Sequence, residues 1–143
     1  MDFKPSEPLS QSISPGAPKK RWRILAVDDE EGILHLIKEA LEPRFDVSLA
    51  IDGIDGLEQA KTIKPHLILL DLKMPRLSGL AVLAKLKSNR ETNAIPVVIV
   101  SAKSDSDSLM EGQRAGAADY LIKPFNIEQL RLVVQRQCAI RGD

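Results

Sequence analysis

The chain has 143 residues and a mass of 15.8 kDa, the size of one ordinary domain. Twenty Lys and Arg balance twenty Asp and Glu, which argues against nucleic acid or an anionic membrane as the main partner, since both need a basic surface. A single cysteine, Cys138, rules out an internal disulfide, argues against a cysteine-based metal cluster and fits a reducing compartment, and no apolar run reaches the roughly 18 residues of a membrane span.

Residues 1–21 differ in texture from the rest. Four of the nine prolines (Pro5, Pro8, Pro15, Pro18) stand there among Ser6, Ser10, Ser12, Ser14 and Gly16, and Phe3, Leu9 and Ile13 are isolated. Such a segment buries too little surface to offset its ordering entropy, so it reads as a flexible tail. It lacks the basic-then-apolar order of a secretion signal, and the expected location is the cytoplasm. One folded domain is expected over residues 22–141.

In that domain short apolar runs rich in Val and Ile alternate with segments of helical spacing. Strands are predicted at 24–27, 47–51, 67–70, 97–100 and 120–122. The first helix gathers Ile33, Ile37, Ala40 and Leu41 on one face, and the second Ile54, Leu57, Ala60 and Lys61. The third carries Leu80, Leu83, Ala84 and Leu86. The fourth, weaker in pattern, surrounds Leu109, Met110 and Ala115, and the fifth carries Ile127, Leu130, Val133, Val134 and Cys138. Pro43 and Pro65 stop the first two helices. Pro96 opens the fourth strand, where a missing N–H does least harm, and Gly116 closes the fourth helix. The alternation implies right-handed crossovers and a parallel sheet covered on both faces. The expected fold class is α/β: a doubly wound five-stranded parallel sheet of order 2-1-3-4-5 with five helices, flavodoxin-like in plan.

Ligands of open α/β sheets bind beyond the carboxyl ends of the strands. The first strand runs into Asp28, Asp29 and Glu30, the third into Asp71, the fourth into Ser101 and the fifth into Lys123 and Pro124. Carboxylates a few ångströms apart repel by about 4 kcal/mol at an effective dielectric near 20, a cost that a bound cation removes. Oxygen donors without a neighbouring His or Cys select a hard divalent ion, and Mg²⁺ fits because it takes one or two carboxylates and keeps several waters. Asp28 and Asp29 are the predicted ligands, with Asp71 completing the site. An ammonium and a hydroxyl beside them are suited to a transferred phosphoryl group. The constellation reads as phosphoryl transfer to a carboxylate, with Asp71, alone at the end of the central strand, as nucleophile.

The segments VDDE (27–30), DLKMP (71–75), Gly79, VSAKS (100–104) and YLIKPF (120–125) resemble, in order, the CheY-like receiver domain of two-component response regulators. The similarity spans about residues 22–140. It implies that Asp71 is the phosphoacceptor, that Asp29 ligates Mg²⁺ directly and Asp28 largely through water, and that the backbone carbonyl of Lys73 is a further ligand. Ser101 and Lys123 stand at the family's hydroxyl and lysine positions, Tyr120 at its rotating aromatic, and the Lys123–Pro124 bond is expected to be cis. The implied donor is a histidine kinase or phosphotransfer protein, and the implied target an unidentified downstream protein, with neither nucleic acid nor membrane bound directly. Phosphorylation-linked dimerisation stays open. No enzymatic activity is expected beyond the chain's own phosphorylation and dephosphorylation. Phosphorylation would draw Ser101 inward, let Tyr120 turn into the space behind it, and reshape the surface of the fourth helix, fifth strand and fifth helix. Lys73 and Lys103, each two residues beyond Asp71 and Ser101, are expected to tune the phosphoryl lifetime toward slower hydrolysis.

Each residue alone has a plainer reading. Asp28 and Asp29 suit the start of the first helix, Asp71 a turn, Ser101 a cap and Lys123 the solvent; their joint spacing outweighs these. His35 reads as a surface residue, His66 as a loop or strand-start residue and Cys138 as packing. A phosphatase of the haloacid-dehalogenase type would need an acid where Lys73 stands. A flavin or nucleotide carrier would need a phosphate-cradling loop where Asp28, Asp29 and Glu30 would repel phosphate. The sequence leaves a stand-alone receiver and the receiver fragment of a larger regulator, its output domain absent, as alternatives.

Overall fold

Five short strands, β1 (Arg23–Val27), β2 (Asp46–Ala50), β3 (Leu67–Asp71), β4 (Val97–Ala102) and β5 (Asp119–Lys123), alternate with five helices. These are α1 (Glu31–Leu41), α2 (Gly53–Ile63), α3 (Gly79–Ser88), α4 (Ser106–Arg114) and α5 (Ile127–Ile140), and a 3-10 turn over Lys103–Asp105 joins β4 to α4. The computed structural model describes residues 21–140. The expected flexible tail, apart from Arg21, and the final residue of the expected 22–141 domain lie outside the described residues. All strand pairs are parallel and the order is β2-β1-β3-β4-β5, as the sequence predicts.

Alternation along the central strands feeds two cores. Ile24, Ala26, Leu67, Leu69, Val98 and Val100 face α1 and α5. Leu25, Val27, Ile68, Leu70, Val97 and Ile99 face α2 and α3. Both faces are covered, so β3 is buried at every position.

The helices correct several faces read from spacing. In α2, Ile54 is 57% exposed and Lys61 is exposed; the buried stripe is Gly53, Gly56 and Ala60. A side chain at Gly56 would press on Val27, so small residues are what let α2 settle against β1. In α3 the buried residues are Val82, Leu83 and Leu86 while Ala84 is exposed. In α1 Leu34 joins Ile37, Ala40 and Leu41, leaving Ile33 half-buried. Ile127 opens α5 at 40% exposure. Ile51 falls outside β2, and Pro96 precedes β4, its carbonyl accepting from the Ile68 N–H at 3.0 Å. Gly116, at φ +107, follows the cap of α4 as predicted. His35 is exposed, whereas His66 stacks on Trp22 at 5.2 Å and its Nδ1 accepts from the Arg23 N–H at 2.9 Å. Cys138 is half-buried against the α1/α5 core. The Lys123–Pro124 bond is cis, as is Glu42–Pro43. Among the described residues no helix is long and apolar enough to cross a membrane.

Candidate functional site

Parallel register brings the carboxyl ends of β1, β3, β4 and β5 to one rim. Asp71 ends β3 and pairs with Val100 of β4, with Ser101 the next residue along; Lys123 ends β5, paired with Ala102. Asp28 follows β1 directly, and its N–H donates to the Ala50 carbonyl at 3.1 Å. Asp28 and Asp71 are buried, and Asp29 is exposed at the rim.

Three carboxylates converge here. One oxygen from each of Asp28, Asp29 and Asp71 can be chosen so that all lie within 4.8 Å of one another. Lys123 Nζ stands among the acids, 2.9 Å from Glu30 Oε1, 3.0 Å from Asp28 Oδ2 and 3.5 Å from Asp71 Oδ1. Asp28 Oδ1 accepts from the Glu30 N–H at 2.9 Å, but Oδ2, fully buried, accepts no hydrogen bond of proper geometry despite its nearness to Lys123. One ammonium does not balance this many carboxylates. The all-oxygen donor set and the excess of carboxylates over the one ammonium together fit a hard divalent cation.

The electrostatics carry the same imprint. Burial pushes the Asp71 carboxyl up to about 6, and the charge of Asp28 adds to the rise, against the pull of Lys123 and the Lys73 N–H. Burial also raises Asp28, outweighing the Glu30 amide and Lys123. Burial alone would lower Lys123, but Glu30, Asp28 and Asp71 overcome it and hold the ammonium above its ordinary range.

Asp29, Glu30, Asp71, Lys73, Ala102, Asp105 and Lys123 line an open cavity of about 430 Å³ over these groups. Ser101 is fully buried, and its Oγ donates to Asp105 Oδ2 at 2.6 Å. Asp105 Oδ1 in turn lies 3.4 Å from Lys73 Nζ, whose side chain is exposed at the rim. The Ser101 hydroxyl first, then Lys73, holds the Asp105 carboxyl below its ordinary range. Lys103 lies on the 3-10 turn; its side chain is outside the described residues. Tyr120 pairs with Ile99 and is half-buried against the α2/α3 core, on which Leu109 of α4 also packs. Gly79, quoted among the motifs, lets the loop after β3 fold back: its N–H donates to the Leu72 carbonyl at 2.8 Å, and a Cβ there would overlap the Asp71 carbonyl oxygen.

The geometry gathers Asp28, Asp29, Asp71 and Lys123 as read from the sequence. It adds two partnerships that the sequence reading missed, Glu30 with Lys123 and Asp105 with Ser101. An acid four residues after Ser101 was the one hint of the second pair, and it is not decisive without the 3-10 turn that brings the two together.

The sequence profile of the response regulator receiver domain matches residues 24–135. The chain is 39% identical over 120 residues to the response regulator ArlR of Staphylococcus saprophyticus, covering 80% of this chain and 53% of that protein. It is 39% identical over 121 residues to the transcriptional regulatory protein PrrA of Mycobacterium leprae, covering 84% and 51%. It thus spans about half the length of these curated relatives. Among solved structures, the chemotaxis protein CheY4 of Vibrio cholerae superposes with a TM-score of 0.77 at 27% identity, covering 82% of this chain and 98% of that one. Strand order, rim residues and sequence profile agree: this chain belongs to the receiver-domain family of two-component response regulators.

Proposed function

We propose that Asp71 is the phosphoacceptor of this receiver domain. An Asp71 carboxylate oxygen attacks phosphorus on a phosphohistidine of a kinase or phosphotransfer protein; the P–O bond forms as the P–N bond breaks, and the imidazole leaves. With its carboxyl titrating near 6, Asp71 is mostly ionised above neutrality. Lys123, already 3.5 Å from Asp71, supplies a cation for one phosphoryl oxygen, and Ser101 supplies a hydroxyl donor from the next strand. Asp28, Asp29, Asp71 and the Lys73 carbonyl are the groups that would hold Mg²⁺, which when bound neutralises charge on the transferring oxygens. The observation that carries this reading is Lys123 Nζ standing between Asp28 and Asp71.

Output would pass through the β5 edge of the sheet and its flanking helices. Met110 of α4, Ile122 of β5 and Leu132 of α5 are 54%, 38% and 60% exposed. Apolar side chains on three successive elements support docking of a protein partner, or of a second copy after phosphorylation, with Tyr120 reporting the change. This fits a cytoplasmic switch with no catalysis beyond its own phosphorylation and hydrolysis, acting through protein rather than nucleic acid at this domain. Incubation with acetyl phosphate and Mg²⁺, followed by intact mass, tests the reading: the wild type gains one phosphoryl group and Asp71→Asn gains none.

A further inference from the structure

Asp105 has two possible employments, and the structure shows it in one of them. It ends the 3-10 turn and directly precedes α4, with φ −94 and ψ 29 rather than the extended backbone of an ordinary N-cap, and its side chain accepts from no N–H of the first turn of α4. Its two oxygens are committed elsewhere, to the buried Ser101 hydroxyl at 2.6 Å and to Lys73 Nζ at 3.4 Å. Its side chain is only 10% exposed, and it lines the same cavity as Asp29, Asp71 and Lys123.

A phosphoryl group on Asp71 would enter that cavity carrying negative charge and strong acceptor oxygens. Those oxygens compete for the two donors Asp105 now holds, and their charge repels its carboxylate. The natural refuge is one residue away, at the positive end of α4.

We propose that Asp105 is a positioning residue with two alternative partners: at rest it restrains Ser101 and Lys73, and when Asp71 is phosphorylated it releases them and caps α4. The exchange ties the occupancy of the strand-end pocket to the order of the first turn of α4. Ser101 and Asp105 thereby form one bistable element in place of two independent contacts. The proposal rests on Asp71 being the phosphoacceptor, and its test separates the two ideas.

Two measurements on the full chain decide it. The first is the dissociation constant for beryllofluoride, a stand-in for the phosphoryl group, in saturating Mg²⁺. Asp105→Asn keeps a residue that can cap α4 but weakens its hold on Ser101 and Lys73, so binding tightens by about tenfold. The second needs neither Mg²⁺ nor beryllofluoride. In Ser101→Ala the carboxylate loses its main partner, and amide exchange at Asp107 and Ser108, in the first turn of α4, slows by about threefold. Unchanged exchange in Ser101→Ala, or binding that is equal or weaker in Asp105→Asn, overturns the role of Asp105. Failure of the wild type to bind beryllofluoride overturns the phosphoacceptor reading instead, while the exchange measurement still judges Asp105.

Discussion

Lys123 Nζ lies 3.0 Å from Asp28 Oδ2, tying the end of β5 to the end of β1 across β3 and β4. The contact spans 95 positions of sequence, and its cation serves a group of acids that would otherwise repel. Its side chain is 15% exposed and that of Asp28 2%, so solvent screens the pair little. Lys123→Met keeps the aliphatic stem and removes the charge. The expected loss is about 2–3 kcal/mol in urea unfolding without divalent ions, because buried carboxylates lose their counter-charge. Millimolar Mg²⁺ should recover part of it.

Asp71 links the site to pH. Its carboxyl titrates near 6 in the folded chain against an ordinary 3.8. Below about 4 both folded and unfolded chains hold the proton and the group contributes nothing. Between about 4 and 6 the unfolded chain releases it first, so the folded state binds more protons and stability falls as pH rises. The fall amounts to about 3 kcal/mol and levels off above pH 6. Asp71→Asn lacks this component, so at pH 7 without metal it should melt several degrees above the wild type. Added Mg²⁺ should raise the wild-type melting temperature and close most of that gap. Parallel pH–stability curves for the two proteins would contradict this account.

Much of this was legible because the fold places chemistry by topology. The carboxyl ends of parallel strands share a rim, so Asp28, Asp71, Ser101 and Lys123 could be grouped once the apolar runs were counted. The pairing within the rim was less legible. Ser101 bonds Asp105 because a 3-10 turn follows β4 without a break, and spacing alone does not distinguish that turn from the start of a helix. Helix faces misread for a related reason. Hydrophobic spacing picks out Ile54, whereas α2 is seated by the absence of side chains at Gly53 and Gly56, a packing effect with no hydropathy signal.

Gly79 offers a test of the scaffold apart from the chemistry. A Cβ there would run into the Asp71 carbonyl oxygen and Leu72 Cα, both backbone and unable to yield cheaply. Gly79→Ala should destabilise by about 3 kcal/mol or more in chemical denaturation. A stability within experimental error of wild type would show that the loop after β3 has room to spare.

Lys73 at the rim and Lys103 on the 3-10 turn after β4 are the positions we propose to set how long a phosphoryl group persists. An attacking water needs an acceptor for its proton, and a lysine ammonium offers none. Lys73→Asn and Lys103→Glu place acceptors at those positions and should shorten the half-life of phospho-Asp71 by roughly tenfold, followed as loss of the mass adduct over time. An unchanged half-life in both variants removes these lysines from the account.

The most direct measurement locates the ester itself. After phosphorylation by acetyl phosphate with Mg²⁺, borohydride reduces an aspartyl phosphate to homoserine, and peptide sequencing by mass spectrometry finds the altered residue. Homoserine at position 71 alone is the expected result. Reduction at Asp28, Asp29 or any other carboxylate, with position 71 intact, would contradict it.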